Sequence, residues 1–94
     1  MAIKTWACEL TRDLFRGERN RVVPPQVARR ARKKLLLINA AAEIAFLRVP
    51  PGNRLEKLVG DRAGQWSVRI NDQYRVCFVF RAGDAYNVRI VDYH

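Results

Sequence analysis

The sequence has 94 residues, 18 of them lysine or arginine and nine aspartate or glutamate, giving a formal net charge of +9. That length supports one domain, residues 1–94, with a modest core, and 49% hydrophobic with 29% charged residues excludes a disordered chain. The charge favours polyanionic partners such as nucleic acid, an anionic membrane or an acidic protein, and specifies neither fold nor chemistry.

Ile3 to Trp6 reads as a short strand, and Glu9 to Phe15 as a helix with Leu10, Leu14 and Phe15 on one side. Gly17 ends it, and a polar loop through Arg21 leads to Pro24-Pro25. Those prolines open the strongest helix, because the first turn has no intrahelical use for their missing N–H. Val27, Ala31, Leu35, Ile38, Ala42 and Ala45 recur at spacings of four and three, which puts them on one face. Pro50-Pro51-Gly52 stops the pattern. Glu9–Arg16 and Gln26–Phe46 thus read as a helical hairpin of unequal arms.

After Gly52 the period becomes two. Arg54 to Val59 reads as a short strand, Gly60 to Gly64 as a loop, and Trp66 to Ile70 as a strand. Asn71-Asp72-Gln73 turns the chain into Tyr74–Arg81, and Ala82-Gly83-Asp84 turns it into Tyr86–Val91. Three strands with short polar turns make an antiparallel meander. Helices first and sheet second give an α+β fold, with the N-terminal helical hairpin packed on a small antiparallel sheet. Trp6 and Trp66 read as core residues.

Register carries the reading further. Val76, Phe78 and Phe80 share one strand face, and Val88 and Ile90 share one face of the next. Joining those faces requires an odd-residue connection, such as a three-residue loop at Ala82-Gly83-Asp84. The helices then cover this face. Arg75 points to the opposite, uncovered face with Val91 and Tyr93, while the facing of Arg69 depends on the Asn71 turn.

The two cysteines, Cys8 and Cys77, lack metal-ligand spacing and read as reduced thiols. Met1 to Trp6 carries no apolar leader pattern, and the longest apolar stretch, Ala40 to Leu47, is too short for a bilayer and contains Glu43. A cytoplasmic protein without membrane attachment is expected.

No spacing of histidine, cysteine or carboxylate residues suggests a metal site, and Gly60-Asp61-Arg62-Ala63-Gly64 lacks the Lys-Ser/Thr of a phosphate-binding loop. No cofactor is expected. RNA cleavage needs none of these, because the ribose 2′-OH is a nucleophile already adjacent to phosphorus. The protein must move two protons and stabilise charge on the phosphorane. Arginine suits the charge, since its planar fork matches two phosphate oxygens. The C-terminal half offers Glu56, Lys57, Arg62, Arg69, Arg75, Asp92, Tyr93 and His94.

His94 is the single histidine and the final residue of the sequence. Asp92 and its own α-carboxylate favour the protonated imidazole, which suits an acid or charge stabiliser. On the long helix Arg29, Arg30, Arg32, Lys33 and Lys34 place five bases in six residues. Such faces are commonly just solvated, but like charges at close helical spacing cost stability, and an anionic partner relieves that repulsion.

The stretch from Gly60 to Phe78, GDRAGQWSVRINDQYRVCF, followed by Val91-Asp92-Tyr93-His94, resembles HigB-type toxins of the RelE-like superfamily of bacterial type II toxin–antitoxin systems. Pro50-Pro51-Gly52-Asn53-Arg54-Leu55-Glu56 and the Ala40–Glu43 end of the long helix share the resemblance, which covers essentially the whole chain. It implies a ribosome-dependent, metal-independent mRNA endonuclease that inhibits translation and is a monomer when free. It also implies a HigA-type helix-turn-helix antitoxin, through which the complex reaches operator DNA. By position, Arg75 matches the family's sheet arginine, and Asp92, Tyr93 and His94 match its C-terminal Asp-Tyr-His.

Two departures stand out. Glu56 replaces a histidine found in some members, and Val59 replaces a lysine. Lys57, on the face of Val59 at strand spacing, is the expected substitute. Arg62, Arg69 and the helical cations Arg29, Arg30, Arg32, Lys33 and Lys34 complete the expected RNA contacts. Two other functions fit the same residues: a non-enzymatic toxin docking on a protein such as DNA gyrase, and a plain RNA- or ribosome-binding module.

Overall fold

The computed structural model describes residues 2–18, 22–59 and 64–92; the expectations for Arg62, Tyr93 and His94 lie outside the described residues. The described elements are β1 (Ala2–Ile3), α1 (Glu9–Phe15), α2 (Pro25–Ala40), two 3₁₀ turns (Ile44–Arg48 and Pro51–Asn53), β2 (Glu56–Lys57), β3 (Gln65–Arg69), β4 (Tyr74–Arg81) and β5 (Asp84–Asp92). The sheet runs β1-β5-β4-β3-β2; β1 is parallel to β5 and the other pairs are antiparallel. The fold is α+β, with the helices on one face of the sheet. No described helix is long and apolar enough to cross a membrane.

Helix α2 begins as its prolines dictate, with Pro25 in the first turn and the Pro24 carbonyl accepting from the Ala28 N–H at 2.9 Å. Val27, Ala31, Leu35 and Ile38 form its buried stripe. They meet Leu14 of α1 and Val68, Val76, Phe78 and Val88 of the sheet in a common core. Burying a side chain such as Phe78 or Leu35 stabilises the fold by about 1.5–3 kcal/mol each. Buried Thr11 joins α1 to β5, its hydroxyl accepting from the Ile90 N–H at 2.9 Å.

The long helix is shorter than its periodicity predicts. It stops at Ala40, Ala41 turns extended (φ −72°, ψ 119°), and the expected core positions Ala42 and Ala45 are exposed. The cause is tertiary. Ala41 and Leu47 are both buried, yet on one helix residues six apart point about 120° away from each other. A reversal through the Ile44–Arg48 turn brings both to the core.

The parity correction also arises elsewhere than expected. Arg81 pairs with Asp84, so only Ala82 and Gly83 form the turn, both at positive φ (50° and 82°) as a tight primed hairpin requires. The odd residue sits in β5 instead. The register shifts by one between Cys77↔Arg89 and Val79↔Tyr86, at a bulge where Asn87 has φ 54°. The N-terminal segment seals the bulge: the Asn87 N–H donates to the Thr5 hydroxyl at 2.8 Å and the Val88 N–H to the Thr5 carbonyl at 3.2 Å. Val88 and Ile90 thereby reach the helix-covered face with Val76 and Phe78.

Candidate active site on the arginine face of the sheet

Register defines one sheet face opposite the helices. The rows are Arg69–Arg75–Val91 and Glu56–Ser67–Cys77–Arg89. The Asn71 turn settles the facing of Arg69. The Asn71 side-chain oxygen accepts from the Gln73 and Tyr74 N–H groups at 2.9 and 2.8 Å, closing the chain so that Arg69 pairs directly with Arg75.

Arg75 is held rather than displayed, with only 12% of its side chain exposed. Its Nε–H donates to the Ser67 Oγ at 2.9 Å, and its Nη2 donates to the Arg54 carbonyl at 2.6 Å. Two acceptors on different segments fix the plane of the guanidinium. The Glu56 carboxylate stands 3.6 Å from Nη2 and is itself 60% exposed. This corrects the expectation of an uncovered arginine: the face is arginine-bearing, but the Arg54 backbone and the Glu56 side chain lie against Arg75. Ser67 and Cys77 on the same face are fully buried.

Other expected residues separate. Asp92 pairs with Tyr74, while Arg75 pairs with Val91, so Asp92 belongs to the opposite face, where it accepts from Gln73 Nε2 at 3.1 Å. Lys57 pairs with Trp66 and lies 5.8 Å from the centre of its ring. It therefore shares the face of Trp66 and not that of Arg75. Arg69 is engaged by Asp72 in a close ion pair.

The helical cations divide as well. Arg32 Nε donates to the Phe15 carbonyl at 3.1 Å, tying α2 to the end of α1. Arg29, Arg30 and Lys33 are exposed. Lys34 reaches toward the site, its Nζ donating to Asn53 Oδ1 at 2.5 Å. Burial, reinforced by the positive charges of Arg30 and Arg69, lowers its pKa from the ordinary 10.5.

Sequence reasoning missed Arg89, Ser67, Asn53 and the Arg54 carbonyl. Arg89 was detectable, since it alternates with the core residues Val88 and Ile90. Ser67 required the Asn71 register, and a backbone carbonyl leaves no side-chain signal.

The molecule is a small basic α+β protein whose sheet face opposite the helices holds an anchored arginine, flanked by further arginines and a carboxylate. The family model for the RelE-like toxin of type II toxin-antitoxin system HigB matches residues 8–94, and the chain belongs to this HigB-like toxin family. It is similar to the protein named Toxin HigB-1 of Vibrio cholerae, 40% identical over 70 residues that span 74% of each chain. It is also 40% identical over 76 residues, 77% of each chain, to Endoribonuclease HigB of Proteus vulgaris. An uncharacterized protein of Haemophilus influenzae is 31% identical over 72 residues, 77% of this chain and 71% of that one. As a member of a type II toxin–antitoxin family, the protein has an antitoxin as its partner.

Proposed function

We propose that this toxin is a ribosome-dependent mRNA endonuclease acting in the cytoplasm as one domain, without a metal, and neutralised by a HigA-type helix-turn-helix antitoxin that carries the complex to operator DNA. The observation that carries the reading is the anchored Arg75 fork on the helix-free face, joined to kinship with a protein named as an endoribonuclease.

The ribose 2′-oxygen attacks phosphorus as the bond to the 5′-oxygen breaks, leaving a 2′,3′-cyclic phosphate and a 5′-hydroxyl end. Arg75 stabilises the charge that develops on the phosphorane oxygens. Glu56, beside Arg75, accepts the 2′-hydroxyl proton. Tyr93 and His94 supply the proton for the leaving oxygen, and Asp92 anchors through Gln73 the strand end from which they continue. Arg69, Arg89 and the α2 cations Arg29, Arg30, Lys33 and Lys34 draw the RNA backbone in.

The test is brief induction of wild type, Arg75→Ala and a His94 deletion, followed by mapping of message 5′ ends. New 5′-hydroxyl ends inside translated codons, absent from both variants, support cleavage. Growth arrest with intact message and altered DNA supercoiling would instead indicate a gyrase-directed toxin.

A further inference from the structure

Asn53 is a polar side chain with 0% exposure, and its polar atoms all have partners. Its Nδ2 donates to the Leu47 carbonyl at 3.1 Å and to the Val49 carbonyl at 3.2 Å. Its Oδ1 accepts from Lys34 on α2. Its own N–H donates to the Pro50 carbonyl at 2.9 Å. One residue thus joins three stretches: the end of the Ile44–Arg48 turn, the Pro51–Asn53 turn and helix α2.

The next residue explains the investment. Arg54 stands in the left-handed region (φ 44°, ψ 55°), its N–H bonded to the Pro51 carbonyl at 3.1 Å. Its carbonyl receives Arg75 Nη2. The strand that follows this segment, β2, is two residues long and gives it little ladder support. The direction of the Arg54 carbonyl is therefore set chiefly by the anchor before it. The other acceptor of the guanidinium, Ser67, sits in the continuous strand β3 and needs no such anchor.

We infer that Asn53 is a positioning residue for Arg75, acting through the Arg54 carbonyl. The role assigned to Arg75 rests on the proposed endonuclease reading; the positioning itself does not. Lys34, by bonding Asn53, links the cationic helix to the same anchor. Asn53→Asp keeps the shape and the acceptor for Lys34 and removes both donations to Leu47 and Val49.

The direct readout is the Arg75 Nε–H resonance and its solvent exchange by nuclear magnetic resonance on the whole chain. In wild type the proton is protected by Ser67 and by the fixed plane. In Asn53→Asp with a native backbone spectrum, exchange accelerates about ten-fold or more, the scale of losing a net hydrogen bond. Unchanged exchange overturns the inference. Should Asn53→Asp fail to fold, Lys34→Met leaves both Nδ2 bonds in place and removes the third; it too must accelerate the exchange, and unchanged exchange there overturns the inference equally.

The kinetic readout uses message cleavage on programmed ribosomes. Asn53→Asp lowers kcat about 10- to 100-fold with little change in KM, since misplacement by about 1 Å costs on that order. In an Arg75→Lys background the same change adds less than about two-fold, because there is no fork left to orient. A full multiplicative loss in that background overturns the inference. Absence of cleavage by wild type would overturn the endonuclease reading alone, since the resonance experiment still decides the positioning.

Discussion

Arg75 and Asp92 lie on neighbouring strands and on opposite faces of the sheet. Arg75 pairs with Val91 and bonds Ser67, whereas Asp92 pairs with Tyr74 and accepts from Gln73. A one-residue offset along β5 separates the row of the anchored arginine from a carboxylate bonded to Gln73 at the strand end.

Asp92→Asn retains an oxygen acceptor for Gln73, so cleavage falls less than about three-fold, the scale of a surface change of about 0.5 kcal/mol. The measurement is the initial rate of message cleavage on programmed ribosomes. A loss comparable to that of an Arg75 variant would place the carboxylate in the chemistry.

Arg75→Lys preserves charge and loses the planar fork that spans Ser67 and Arg54. It should lower kcat by about 10²–10³-fold, the range for removing a preorganised donor from a developing oxyanion. Ser67→Ala removes only the Nε acceptor and should cost about five- to ten-fold, equivalent to about 1 kcal/mol. Combined with Arg75→Lys it should add almost nothing, because the lysine ammonium has no fork to be oriented by Ser67. Additive losses would show that Ser67 acts independently of Arg75.

Lys34 offers a pH signature. Its pKa lies below 10.5 in the folded protein because burial, then Arg30 and Arg69, disfavour the ammonium. Between the folded value and 10.5 the unfolded chain binds more protons at this site, so its contribution to stability rises with pH across that window and is constant below it. The ¹³Cε shift of Lys34 should titrate with a midpoint below 10.5. A midpoint at or above 10.5 would remove the burial effect.

The β4–β5 turn carries an avoidable strain. Ala82 has φ 50°, a region that costs an L-residue roughly 1–2 kcal/mol. Asparagine tolerates it and completes the Asn-Gly pair that such turns favour. Ala82→Asn should raise the unfolding free energy by about 0.5–1 kcal/mol, seen as a higher urea midpoint at unchanged slope. A lower midpoint would mean that Ala82 is not held left-handed in solution.

The local code was legible wherever one face or one turn decided the outcome. Proline-opened α2, its Val27–Ile38 stripe, the meander and the facing of Arg75 against Val91 all follow from periodicity and turn chemistry. What lay beyond the sequence depended on distant neighbours. The break at Ala40 answers a demand to bury Ala41 and Leu47 together. The bulge at Asn87 fixes a parity that the turn was expected to fix. Lys57 faces Trp66 rather than Arg75 because two-residue β2 takes its register from β3. The helix-free arginine face was written in the alternation of the chain. The restraint of Arg75 was not, because its acceptors are a hydroxyl eight residues back and a backbone carbonyl 21 residues away, brought together only by tertiary folding.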